Sequence, residues 1–229
     1  MADAAAGAWA EAWRDLGFRA RLAVTVPALV AALAVLSRFL DFVEGRPGAV
    51  LADPVLARIP PHDVTWLTFG LIYLGVFLGV ARLLTEPRRL VVALQAYVVM
   101  VLLRIAAMWV TPLEPPPGLI PLQDPLVRLF GPGTLLTKDL FFSGHTATLF
   151  LLALAVPGRL WRAVFLAGTV GVAACVLWQH VHWTIDVLAA PLFAFASYRI
   201  AVSLGREPAG SGRDAFPRAP RGTGASRGR

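Results

Sequence analysis

Residues 90–111 read LVVALQAYVVMVLLRIAAMWVT, and Arg104 is the only charged side chain in this apolar run. A helix needs about 20 predominantly apolar residues to cross the hydrocarbon of a bilayer, so the run predicts a membrane-spanning helix. The rest of the chain has the same character, because 57% of its 229 residues are hydrophobic and only 15% are charged. A water-soluble domain needs more polar surface than this composition supplies. We therefore expect an integral membrane protein.

Five further apolar segments accompany this run, and none alternates with the two-residue period of a barrel strand. The six candidate spans are residues 22–40, 64–84, 90–111, 140–157, 163–180 and 184–202. Several lie near the lower limit of about 17 residues for crossing a bilayer, so we expect helices that pack against each other. The predicted fold class is an all-α membrane protein with a six-transmembrane helical bundle.

Basic side chains are concentrated before span one, between spans two and three, between spans four and five, and after span six. They are Arg14, Arg19, Arg21, Arg82, Arg88, Arg89, Arg159, Arg162 and the arginines from Arg206 onward. Positively charged segments near spans stay in the cytoplasm, which predicts cytoplasmic N- and C-termini. The starts of spans four and six then lie on the outer side. The short ends and the arginine-rich composition suggest a bacterial plasma membrane.

Composition divides the chain into three parts. Residues 1–21 mix tryptophans with charges, which indicates a cytoplasmic interfacial segment and not a cleavable signal. Residues 22–203 form the predicted membrane domain, and residues 204–229 have the Gly, Pro, Ser and Arg content of a disordered basic cytoplasmic tail. Attraction to anionic lipid headgroups explains the net charge of +7, so no nucleic-acid partner is expected. Cys175 is the only cysteine, which excludes an intrachain disulfide.

Arg104 lies deep in its span, and Tyr97 and Met108 fall on the same helical face. A guanidinium inside a membrane is costly unless it meets an anion. The functional interpretation of Arg104 is a phosphate ligand. The structural alternative is a permanent salt bridge, for example to Asp139 or Asp186.

Two short polar clusters interrupt the apolar spans, KDLFFSGHT at residues 138–146 and HWTID at residues 182–186. The i, i+4 spacing predicts that His182 and Asp186 share one helical face, where the carboxylate can hold one imidazole nitrogen. The other nitrogen is then free to attack a substrate or to move protons. The chemistry this suggests is phosphoryl transfer through a histidine. The proline-rich outer loop at 112–138 is either a lid over the site or an interfacial tether.

Three motifs together resemble the sphingomyelin synthase branch of the type 2 phosphatidic acid phosphatase superfamily. They are RIAAMWVTPLEP at 104–115, DLFFSGHT at 139–146 and HWTIDV at 182–187. Each alone is a short match, but they occur in the family's order over roughly residues 88–190, on spans of the expected sidedness. The resemblance implies the six-helix fold of that superfamily.

The resemblance also implies roles for the matching residues. His182 would be the nucleophile that takes the phospho-headgroup, and Asp186 would orient it. His145 would protonate the leaving alcohol and later deprotonate the acceptor, as in general acid–base and covalent catalysis. Ser143 and Gly144 would let hydroxyl and backbone donors reach the phosphate.

Departures from the family pattern narrow the predicted activity. The lysine and Arg-Pro pattern of ordinary lipid phosphatases is absent, which favours the synthase branch with Arg104 as the phosphate ligand. The Cys-Gly pair of the synthases is Thr137-Lys138 here, and Lys138 would either contact phosphate or snorkel to the interface. No metal and no cofactor is expected, because His180 and His182 on a helix would point in different directions.

The leading hypothesis is a lipid phosphotransferase that moves a phospho-headgroup such as phosphocholine through a phosphohistidine. Its partners would be membrane lipids, namely a glycerophospholipid donor and a ceramide or diacylglycerol acceptor. A lipid phosphatase or phospholipase C-type hydrolase would use the same histidines with water as the acceptor. A third hypothesis is a non-catalytic transporter or scaffold, in which these residues are structural contacts. That hypothesis does not account for the predicted convergence of His145, His182 and Asp186.

Overall fold

The computed structural model of the chain describes residues 2–122 and 137–204, and these two ranges contain helices and no strand. The helices are α1 (Ala2–Arg14), α2 (Leu16–Glu44), α3 (Thr65–Leu83), α4 (Pro87–Val110), α5 (Gly144–Ala155), α6 (Arg159–Trp178) and α7 (Thr184–Leu204), with a 3₁₀ turn at Leu56–Arg58. The predicted all-α class is confirmed. The predicted tail beyond residue 204 and positions 123–136 of the predicted lid or tether lie outside the described residues.

Five of the described helices, α2, α3, α4, α6 and α7, are long and apolar enough to cross a membrane. This confirms a multi-pass integral membrane protein. The helix in the predicted fourth span is shorter, because α5 has only 12 residues. It begins after Ser143, whose side chain caps it, and ends at Ala155, two residues before Pro157, which cannot continue a helix. At the other extreme α2 has 29 residues and begins at Leu16, after the Asp15 cap and before the predicted start of span one.

The short helix α5 lies in the middle of the bundle. On one side Leu149, Leu152 and Ala153 pack with the buried residues of α3 and α6 in the larger core. On the other side Ala147 and Leu151 pack in a second core against α4 and α7. That second core is rich in alanine, which lets helix backbones approach closely in a membrane protein. The helices around α5 therefore face the lipid and must be long enough to span it, whereas α5 is enclosed by protein and can be shorter.

We call the end of the bundle at which α2, α4 and α6 finish and α3, α5 and α7 begin the site end. At this end, the turn between α6 and α7 forms hydrogen bonds with residues before and at the start of α3 and with the connection between α4 and α5. Buried Gln179 donates through Nε2 to Thr65 Oγ1 at 2.8 Å, and its backbone carbonyl accepts from the N–H of Ile120 at 3.1 Å. His180 has a φ of 55°, which aims its ring at the carbonyls of Pro117 and Ile59, each at 2.8 Å. His180 is therefore a structural turn residue.

Candidate active site

The two polar clusters found in the sequence are joined by a direct hydrogen bond. The backbone N–H of Ser143 donates to the backbone carbonyl of Asp186 at 3.1 Å. Ser143 is the N-cap of α5, and Asp186 lies in the first turn of α7. The starts of these two helices are therefore held side by side, with His145 on one and the His182–Asp186 pair at the other.

His182 and Asp186 form the predicted pair. His182 Nδ1 lies 3.2 Å from Asp186 Oδ2, and both side chains are buried. The predicted shared helical face is wrong, because His182 lies in the turn before α7 begins at Thr184. The pair forms instead because the first turn of α7 folds back on its entry: Asp186 Oδ2 also accepts from the N–H of Trp183 at 3.0 Å, as a capping-box carboxylate does. This leaves Nε2 of His182 as the nitrogen that does not face Asp186.

The entry to α5 is bent sharply so that Ser143 can cap the helix. Phe141 has a φ of 86°, a left-handed conformation that bulky side chains rarely adopt. Phe142 is fully buried and stacks on Phe193 of α7, with ring centroids 4.6 Å apart. The His145 ring lies edge-on to Phe69 of α3, with centroids 6.1 Å apart. Unfavourable backbone conformations of this kind concentrate at functional sites.

We call the place where the starts of α5 and α7 meet the α5–α7 junction, and the Arg104 side chain reaches it from α4. Its guanidinium pairs with the Asp139 carboxylate and lies over the ring of Phe142, with Cζ 5.9 Å from the ring centroid. It also rests against Gly144, where an added Cβ would overlap the guanidinium. The salt bridge considered from the sequence is thus present, with Asp139 and not Asp186 as the partner.

This ion pair does not use all the hydrogen-bonding capacity of its members. Among the described residues, Arg104 Nε and Asp139 Oδ1 are buried without a hydrogen-bond partner, and so is Asp186 Oδ1. Buried polar atoms in proteins are nearly always satisfied. Three orphaned atoms beside one helix junction are typical of a site whose ligand or solvent supplies the remaining bonds.

Lys138 makes contacts different from those expected of a phosphate ligand. Its ammonium donates to Glu114 Oε1 and to the carbonyl of Arg46, each at 2.9 Å. Glu114 also accepts from the N–H of Gly48, and these bonds hold the pKa of Glu114 below its usual value. Lys138 therefore ties the segment before α5 to the connections after α2 and α4.

Several residues that surround the junction carried no signal in the sequence. Asp53 accepts from the N–H of Thr184 at 2.7 Å, and Trp183 Nε1 donates to the carbonyl of Glu114 at 3.0 Å. These contacts join residues that are far apart in the chain, so helical periodicity could not have indicated them. Asp53-Pro54 is a common turn sequence, which predicts only the local hydrogen bonds that Asp53 also makes.

The site is built from histidine, carboxylate and guanidinium groups. Within residues 2–122 and 137–204 there is no cluster of three His, Cys, Asp or Glu side chains that could hold a metal ion. A buried imidazole oriented by a carboxylate suits nucleophilic or proton-transfer chemistry, and the nearby guanidinium suits an anionic substrate. No protein-family model, no curated protein and no solved structure matches this chain.

Proposed function

We propose that this protein is a lipid phosphotransferase of the sphingomyelin synthase type, which moves a phospho-headgroup such as phosphocholine from a glycerophospholipid to ceramide or diacylglycerol. The proposal includes a six-span bundle of the type 2 phosphatidic acid phosphatase kind, with both termini in the cytoplasm. The observation that carries it is the junction at which Ser143 donates to the backbone of Asp186, 3.1 Å away. That bond brings the His145 motif and the His182–Asp186 motif to one place.

In the proposed reaction, Nε2 of His182 attacks phosphorus and forms a P–N bond. The P–O bond to the donor glycerol breaks, and the electron pair leaves on oxygen, which takes a proton from His145. The oxygen of the acceptor hydroxyl then attacks phosphorus while His145 takes the proton of that hydroxyl, and the P–N bond breaks with its electron pair returning to Nε2 of His182. Asp186 supports this role because it holds Nδ1 at 3.2 Å, so that Nε2 carries the lone pair.

Arg104 would bind the phosphate. Its position supports this role, since the guanidinium is largely buried, with 14% of the side chain exposed, and lies against Gly144 at the start of α5. A phosphate diester can accept two parallel hydrogen bonds from a guanidinium. The unsatisfied Nε of Arg104 supplies one donor for such a substrate among the described residues.

The experiment is to reconstitute the purified protein with phosphatidylcholine labelled in its headgroup, with and without ceramide or diacylglycerol. A transferase gives a labelled product lipid only when the acceptor is present. Release of labelled phosphocholine or phosphate without an acceptor would instead assign the hydrolase. If the protein forms neither product across headgroups, and the His182→Ala variant behaves identically, the catalytic proposal is wrong.

A further inference from the structure

Asp53 lies in the connection between α2 and α3, far in sequence from both polar clusters, yet it touches the start of α7. Its Oδ2 accepts from the N–H of Thr184 at 2.7 Å, and its Oδ1 accepts from the Thr184 hydroxyl at 3.0 Å. The same Oδ1 accepts locally from the N–H groups of Val55 and Leu56, at 3.0 and 3.1 Å. The carboxylate is thus fixed in its own turn and bonded to α7 at the same time.

Thr184 is the first residue of α7 and lies between His182 and Asp186 in the chain. The first N–H groups of a helix have no acceptor within the helix and must find one elsewhere. At this helix start two carboxylates divide that task, because Asp186 accepts from Trp183 while Asp53 accepts from Thr184. With Asp53 in place, Asp186 Oδ2 serves only Trp183 and His182 among the hydrogen bonds described.

Asp53 is ionised under ordinary conditions. Partial burial acts to raise the pKa of this carboxyl, but the hydrogen bonds from Thr184, Leu56 and Val55 outweigh it and hold the pKa below the ordinary value of 3.8. An ionised carboxylate is an acceptor at both oxygens. It also places negative charge at a helix N-terminus, where the helix dipole favours it.

We infer that Asp53 is a positioning residue that holds the first turn of α7 so that Asp186 stays on Nδ1 of His182. An asparagine at position 53 has one acceptor oxygen in place of two, so it cannot serve both its own turn and the N–H of Thr184. The carboxylate in the same turn as that N–H is Asp186. Any movement of Asp186 toward that N–H weakens its contact with His182. The inference about catalytic rate rests on the proposed function, but the contact itself can be tested without any activity.

Asp63 provides a matched control. It also precedes a helix at the site end, and its Oδ1 accepts from the N–H of Thr65 at 3.0 Å, at the start of α3. Hydrogen bonds from Thr65 hold its pKa below the ordinary value, as for Asp53. Asp63 has no described contact with the α5–α7 junction. A general loss of helix capping would therefore affect Asp53 and Asp63 variants alike.

The test compares Asp53→Asn with Asp63→Asn in the full-length protein. The first readout is the rate at which diethyl pyrocarbonate modifies His182, measured by peptide mass spectrometry with exposed His62 as the internal reference. The second is phosphotransfer, separated into kcat and KM. In Asp53→Asn we expect His182 modification several times faster and kcat about tenfold lower with KM unchanged, because a small misplacement of a nucleophile slows the chemical step. Asp63→Asn should match the wild type in both.

An unchanged rate of His182 modification in Asp53→Asn would overturn the inference, and so would an equal increase in Asp63→Asn. If wild-type protein shows no phosphotransfer, the proposed function fails while the histidine measurement still decides the role of Asp53. If Asp53→Asn does not fold, Thr184→Val replaces it. That variant removes the 3.0 Å bond from the threonine hydroxyl to Asp53 but keeps the backbone bond, so a smaller increase in His182 modification is expected, and an unchanged rate would overturn the inference.

Discussion

At the scale of single residues, the Asp186 carboxylate fixes which nitrogen of His182 would react under the proposed function. Asp186 is fully buried and its Oδ2 lies 3.2 Å from Nδ1, so the proton belongs on Nδ1 and the lone pair on Nε2. His182→Ala should therefore abolish phosphotransfer. Asp186→Asn should leave a residual rate lower by about 10³-fold or more, because it misorients the nucleophile without removing it.

The measurement for this pair is turnover of labelled phospholipid, together with acid-labile phosphate on the denatured protein. His62→Ala is the control, because His62 is exposed and its ring contacts Trp178 and the Pro60 carbonyl. Its rate should stay within about twofold of wild type, as for surface substitutions away from a site. Phosphate trapped on a residue other than His182 would contradict the assignment.

Arg104 gives a second prediction at this scale. A lysine keeps the positive charge but lacks the planar fork that binds a phosphate through two hydrogen bonds. Arg104→Lys should therefore insert and purify normally, yet lose most of its activity. The control is Arg46→Lys: the Arg46 side chain donates to the Trp109 carbonyl and lies over the Trp109 ring, and its described contacts do not include the junction.

Two outcomes would change the interpretation of Arg104. A wild-type rate in Arg104→Lys would exclude bidentate phosphate binding. Failure of that variant to fold, with Arg46→Lys folding normally, would make the ion pair with Asp139 a purely structural contact. Size-exclusion profiles and thermal unfolding of the purified variants separate these outcomes from a loss of rate alone.

At the scale of helices, the start of α5 depends on a residue without a side chain. A Cβ at Gly144 would overlap the Arg104 guanidinium. Gly144→Ala should therefore displace Arg104 and lower the phosphotransfer rate at least tenfold. Gly70→Ala in α3 is the control, since a Cβ built there meets nothing within 4 Å beyond its chain neighbours and its own helix backbone. Alanine stabilises a helix interior by roughly 0.5–1 kcal/mol relative to glycine, so Gly70→Ala should unfold at an equal or higher temperature. Equal rates in both variants would show that Arg104 is not needed at this position.

The helices themselves were predictable, while their ends were less so. Apolar runs predicted α3, α4, α6 and α7 because lipid-facing segments need continuous hydrophobicity. The same signal wrongly placed His182 on a helix. Periodicity does not show that α7 begins only at Thr184, where the Asp186 carboxylate accepts from the N–H of Trp183. It also gave no indication of Asp53, whose contact with Thr184 exists only after distant connections fold together. Charge sidedness did predict that the two polar clusters lie at the same end of the bundle.

At the scale of the whole molecule, the two ends of the bundle differ in chemistry. The site end holds four carboxylates, the buried Asp186 and the partly exposed Asp53, Glu114 and Asp139. The opposite end carries surface ion pairs, among them Arg88 with Asp15 at 2.7 Å and Arg82 with Glu86 at 2.9 Å. Exposed pairs of this kind contribute little to stability, but basic residues at one end orient a membrane protein. The proposed topology therefore puts the site end outside.

Whether α5 crosses the membrane decides this topology. Twelve residues of α-helix extend about 18 Å, against about 30 Å of hydrocarbon. Non-helical backbone at membrane depth is tolerated only where protein buries it, and four residues that flank α5 meet this condition. Leu140, Phe142, Ser143 and Val156 are all at most 2% exposed. Ser143 and Val156 are extended and add about 3.3 Å each, so the proposed crossing of α5 inside the bundle also uses the segments before Ser143 and after Val156.

The proposed six-span topology puts the start of α6 on the cytoplasmic side, and single cysteines can test it. Cys175 is the only cysteine and is buried, so Cys175→Ala provides a background without reactive thiols. In that background, His62→Cys at the site end should react with a membrane-impermeant maleimide on intact cells. Leu84→Cys, after α3, and Leu160→Cys, at the start of α6, are 46% and 74% exposed in the wild-type residues and should react only after permeabilisation. Labelling of Leu160→Cys together with His62→Cys would show that α5 turns back, and the six-span bundle would then be wrong.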